Sequence, residues 1–186
     1  MHGQPLIGLL VHPIMNQLSS FFMRRIAVAF LAVALWHSAS AVFAATWTVT
    51  NSGDMTPIAP AGTLRYAVEH AAADDTIEFA LASGAETIAL LNQIPITKSL
   101  VIDGSNTGGS GTRITIEVTS PGASAYRILS FSGGTSGALG LYALTLKGGD
   151  VSANGGWDDS HGGVIYCASG SLYLREVTIS DGKAAK

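Results

Sequence analysis

Two segments of the chain superpose when one is shifted by 33 residues. Leu139 meets Leu172, Leu141 meets Leu174, Leu144 meets Val177, Thr145 meets Thr178, Leu146 meets Ile179 and Gly149 meets Gly182. The shared pattern is L-x-L-x-x-[LV]-T-[LI]-x-x-G. Apolar residues at every second position are the signature of a strand with one buried face. A repeat of this length lies in the range of stacked, solenoid-like architectures. Helical repeats of that length are excluded, because the segments are β-rich. The run LVIDG, Leu100–Gly104, echoes the second half of the pattern further upstream. A β-sandwich also has short strands and regular turns. A β-solenoid explains like residues at like places better, since each coil buries its apolar face only against the next.

The rest of the chain after residue 45 reads the same way. A short strand ending in a turn is expected at TWTVTNSGD in 46–54, alternating from Thr46 to Asn51, and further strands at TIEFAL in 76–81, 86–92, 99–104, 113–119, 127–133, 139–149 and 163–182. Between them lie glycine-rich turns, and the chain holds 22 glycines, well above ordinary usage. One helix is expected at about 63–73. Leu64, Ala67, Val68 and Ala71 fall at helical spacing, and Thr63 is placed to cap the first turn. Its thin alanine face suits it to lie flat over an end of the stack. The single cysteine, Cys167, forbids an intramolecular disulfide, and its neighbours Tyr166 and Ala168 place it in a coil interior. The formal charge of −3 and the sparse aromatics give no nucleic-acid surface.

The N-terminus reads as an address. Arg24-Arg25 precede the apolar run Ile26–Trp36, which is of signal-peptide length and short for a membrane span. Small residues follow, with cleavage expected after Ala44, so that Ala45 becomes the first residue; a cut after Ala41 is the second choice, and an uncleaved anchor the alternative. Positive charges usually open a signal peptide, so 1–22 is expected to be an extension ahead of a true start at Met15 or Met23. Cleavage after Ala44 removes Arg24 and Arg25 and no acid, which takes the formal charge from −3 to −5. The division is therefore an extension (1–22), a signal peptide (23–44), an N-terminal cap (45–81) and coils (82–186).

Three of these segments carry a resemblance. GTLRYAVEHAAADDTIEFAL (62–81) resembles the N-terminal segment of secreted bacterial right-handed parallel β-helix proteins. QIPITKSLVIDGSNTGG (93–109) and GGVIYCASGSLYLREVTIS (162–180) resemble their coils. The group includes polymorphic outer-membrane and autotransporter-passenger proteins, and the similarity covers essentially all of 46–186. It implies an all-β, right-handed parallel β-helix with a short capping helix, about four to five coils long at 20–35 residues each. It also implies secretion or display at the outer-membrane surface, as an adhesin-like scaffold. Gly162–Tyr166 is similar to a Gly-Gly-Ala-Ile motif of the polymorphic proteins, but Val164 replaces the alanine and the partner F-x-x-N is absent. That subfamily is not assigned. Such proteins run to many coils and end in a barrel or anchor, so the chain is expected to be truncated. Its last coil would expose an edge open to self-association. Membrane association is then expected only through the signal peptide or a missing C-terminal anchor.

Right-handed β-helices also include polysaccharide lyases and glycoside hydrolases, which need clustered carboxylates. A fragment of such an enzyme is the alternative function, and a nonfunctional remnant a third. The best cluster is Asp158, Asp159 and His161 beside Trp157, which reads first as a solvated loop between coils and, as the alternative, as a site for a divalent ion such as calcium. Asp103–Asn106 reads as a turn closing a strand rather than a calcium loop. Arg175, Glu176 and Asp181 read as an exposed face with local charge pairing. No nucleophile–base arrangement and no phosphate loop appear, so no catalytic or cofactor residues are assigned. Expected partners are a surface glycan or protein.

Overall fold

A computed structural model of the chain describes residues 44–82, 86–106, 113–118, 126–153 and 161–184. The expected signal peptide and its extension lie outside them, apart from Ala44. The described residues form twelve strands and one helix. In chain order they are β1 (Thr46–Val49), α1 (Leu64–His70), β2 (Asp75–Phe79), β3 (Thr87–Leu90), β4 (Ile94–Ile96), β5 (Leu100–Asp103) and β6 (Ile114–Val118). There follow β7 (Leu129–Ser132), β8 (Ala138–Tyr142), β9 (Leu144–Lys147), β10 (Ile165–Ser169), β11 (Ser171–Arg175) and β12 (Thr178–Ser180).

Every strand pairing is parallel. The strands form three sheets, in the orders β1-β2-β5-β8-β11, β3-β6-β9-β12 and β4-β7-β10. From β2 onward the chain visits first, second and third sheet in turn, completes three rounds, and ends with β11 and β12. An antiparallel sandwich is thereby excluded, and an all-β fold of parallel sheets results.

The register follows the repeat. Leu139 pairs with Leu172 and Leu141 with Leu174; Thr145 pairs with Thr178 and Leu146 with Ile179. Likeness of type at the inward-facing paired positions stacks aliphatic on aliphatic, as in the fully buried columns Ile77–Ile102–Leu141 and Ile88–Ile116–Leu146. Phe131 fills the third sheet beside Ile96. Burial of such side chains stabilises by about 1.5–3 kcal/mol each.

Several expectations need correction. Leu100 and Ile102 lie beside Leu139 and Leu141, so LVIDG matches the first half of the repeat, not the second. Both halves alternate in the same way, and only pairing distinguishes them. The single strand expected at 139–149 is two, β8 and β9. Ala143 takes φ of 50° between them and turns the chain to the next sheet, and Glu176, at φ 58°, makes the same corner one repeat later. The segment 163–182 likewise divides into β10, β11 and β12. β4 was not expected, because Pro95 sits at its centre. It is an edge strand, where the missing amide hydrogen is tolerated. Cys167 is exposed, not interior. It pairs with the buried Phe131, but β10 is the end strand of its sheet, and nothing covers it on the other side among the described residues. Leu174 and Ile179 are each 47% exposed for the same reason.

The opposite end is covered. α1 packs on β1, β2 and β4, the first and last of which are edge strands. It buries Leu64, Ala67 and Val68 in the common core. Thr63 Oγ accepts from the Tyr66 amide, and Ala71, at ψ 145°, leaves helical geometry. The helix therefore stops at His70, short of the expected 73. Asp75 Oδ2 accepts from the Ala72 amide (2.7 Å), which turns the chain into β2.

Asp75 also accepts from the Ala45 amide (2.7 Å) and Trp47 Nε1 (3.0 Å), and is almost wholly buried. The Ala45 and Ala72 amides hold its carboxyl below the usual carboxylate range, against the opposing push of burial. A depressed folded pKa stabilises the fold above the unfolded value of about 3.9, and that stability is lost as pH falls through the lower folded value. Asp75→Asn is therefore expected to flatten the fall in denaturation midpoint between about pH 5 and pH 2, read by urea titration at each pH.

Candidate binding surface

Of the sequence candidates, Asp158, Asp159 and Trp157 lie outside the described residues. His161 is exposed just before the turn into β10. Among the described residues no group of three His, Cys, Asp or Glu side chains is placed to hold a metal ion. Asp103 forms the expected turn, its Oδ1 accepting from the Ser105 amide at 2.9 Å. Gly104 is required there, because a Cβ would lie 2.6 Å from the Ala143 carbonyl oxygen of the next round. Arg175 does not pair with Glu176. Its guanidinium lies 4.6 Å over the Tyr142 ring, while the Glu176 carbonyl accepts from Arg113. The described surface ion pairs are Lys183–Asp150 (3.3 Å) and Lys147–Glu117 (3.9 Å).

The outer face of the first sheet brings together residues that the sequence did not single out. Parallel pairing builds two outward columns. One runs Thr76, Val101, Gly140, Tyr173; the other runs Glu78, Asp103, Tyr142, Arg175. Gly140 has no side chain, so the first column is interrupted. The Tyr142 ring occupies part of the gap, and a Cβ on Gly140 would stand 3.0 Å from its hydroxyl. What remains is a trough of 330 Å³ lined by Asp74, Ser99, Val101, Gly140, Tyr142 and Tyr173. Tyr173 is 57% exposed.

The polar groups around this trough divide into committed and accessible ones. Ser99 Oγ accepts from the Ala138 amide at 3.2 Å. Asp74, at φ 69°, lies at the tight turn before β2 and is exposed. Glu78 accepts from Asn106 Nδ2. A flat exposed ring beside a carboxylate and a hydroxyl matches a small polyol with one apolar face. The sequence signal was faint: the repeat aligns Tyr173 with Gly140 and Arg175 with Tyr142, so no residue type recurs.

Comparison of the chain with protein-family models, curated proteins and solved structures gave no match.

Proposed function

We propose that the chain is an exported, right-handed parallel β-helix scaffold of adhesin or passenger type, which presents the outer face of its first sheet to a surface glycan. The observation that carries the reading is the cyclic visit to three parallel sheets. That path gives a long, rigid exterior in which outward residues from distant parts of the sequence line up in columns. The Tyr142–Tyr173 trough is the part of that exterior with aromatic and polar groups side by side. Its size, 330 Å³, suits one or two sugar rings. Right-handedness accords with the strong preference of parallel crossover connections. Export accords with the basic-apolar-small order of residues 24–44.

The test uses the exported protein and three neutral hexasaccharides of glucose or xylose, with hexagalacturonate as the acidic comparison. The expected result is saturable binding of a neutral probe, weakened about tenfold by Tyr173→Ala, the loss of one stacking contact of about 1.4 kcal/mol. Because Tyr173 is exposed, the thermal midpoint of that variant should stay within a degree or two of the parent, since exposed substitutions change stability by less than about 0.5 kcal/mol. Binding that is unchanged in Tyr173→Ala rejects the trough as the site.

A further inference from the structure

Ala45 stands immediately before β1 and is held from both sides. Its carbonyl accepts from the Thr76 amide at 2.9 Å, and its N–H donates to Asp75 Oδ1 at 2.7 Å. Asp75 opens β2, is 2% exposed, and directs its carboxylate at the Ala45 and Ala72 amides and Trp47 Nε1. Oδ2 is shared by the Ala72 amide and Trp47 Nε1, whereas Ala45 supplies the donor recorded on Oδ1. Among the described residues no cation lies within ion-pair distance of this carboxylate. Lys98, whose charge acts on it only through space, donates its ammonium to the carbonyls of Glu69 and Ala71. A buried carboxylate held by neutral donors alone is unusual, because buried charges are ordinarily paired.

We propose that the positive partner of Asp75 is made by proteolysis: hydrolysis of the Ala44–Ala45 bond leaves an α-ammonium on Ala45, which ion-pairs with the Asp75 carboxylate and fastens β1 to β2. The inference rests on the signal-peptide reading of residues 23–44. In the hydrolysis one water is consumed. The C–N bond breaks, Ala44 leaves with a carboxylate, and the Ala45 nitrogen takes up protons to become an ammonium. The nitrogen already sits at hydrogen-bond distance, so nothing has to move. The bond to the carboxylate is already charge-assisted on the acceptor side, and a cationic donor adds a direct Coulombic attraction to it. The geometry also distinguishes the two candidate cleavage sites. A cut after Ala41 leaves Val42-Phe43-Ala44 attached and places no charge at Asp75.

The experiment starts from the exported protein. Its intact mass and N-terminal sequence should begin at Ala45. The rate of α-amine acylation at pH 7 is then compared among the native chain, Asp75→Asn, and a chain carrying one glycine before Ala45. A neighbouring opposite charge raises an amine pKa by about one unit or more, so the native amine should react about tenfold more slowly than in either variant. The glycine-extended chain keeps Asp75, so it remains informative if Asp75→Asn fails to fold. A natural terminus other than Ala45 overturns the processing reading and the proposal with it. A terminus at Ala45 whose acylation rate is the same in all three proteins overturns the ion pair and leaves the processing reading intact.

Discussion

Arg65→Ala is expected to lower the unfolding free energy by about 3–5 kcal/mol, the usual loss when one partner of a buried ion pair is removed. Urea denaturation of the variant against the parent measures it. Arg65 projects from the first turn of α1 and is 5% exposed. Its Nε and Nη2 each donate to a different oxygen of Asp54 at 2.7 Å, a bidentate fork. Nη1 donates to the Gln93 carbonyl (3.0 Å) and Nη2 also to the Asn92 carbonyl (2.7 Å). Asp54 Oδ2 further accepts from the Leu91 amide. One guanidinium thus ties the loop before α1, the helix itself and the turn into β4. Replacing both partners by leucine is a useful control. In a simple buried pair that exchange is often neutral. Here it strands the Leu91 amide and two carbonyls, so the double variant should remain well below the parent. If the double variant recovers parental stability, the pair is an isolated one and the loop is held by other contacts.

The reach of the sequence follows from what repeats. The 33-residue alignment of 139–149 with 172–182 anticipates the pairing of β8 with β11 and β9 with β12 residue for residue. It fails upstream because the rounds differ in length. Ile77 to Ile102 is 25 residues, Ile102 to Leu141 is 39 and Leu141 to Leu174 is 33. Loop insertions vary at the corners while the strands keep register, so a fixed-period search sees only the last pair. α1 was legible because a cap residue and a helical apolar stripe are local signals. The Asp54–Arg65 pair was not, because its members are 11 residues apart across an irregular loop and neither belongs to a periodic pattern. The Tyr142–Tyr173 trough was hidden differently. It depends on a missing side chain at Gly140, and absence at one position has meaning only once the neighbouring strands are known.

The columns of the core make a second large effect predictable, and they also predict where it stops. Leu141→Ala is expected to cost about 2–5 kcal/mol, the range for a fully buried leucine that leaves a cavity. Leu141 is flanked by Ile102 on one side and Leu174 on the other, with its own side chain fully buried. Leu174 has the same inward direction but is 47% exposed, since it belongs to the last described round. Leu174→Ala should therefore cost about 1 kcal/mol, roughly half the transfer energy of a buried leucine, with little cavity term because the site lies open to a 550 Å³ hollow. The same contrast should hold between Leu146 and Ile179 in the neighbouring sheet, paired one above the other. Measured by urea denaturation, this gradient reports how stacked rounds share stability, since each round is supported only by those next to it. Equal losses at Leu141 and Leu174 would mean that the open round is covered in solution. Cys167, on β10, the end strand of the third sheet, then supplies an independent check, because cover of the open end would protect its exposed thiol from alkylation.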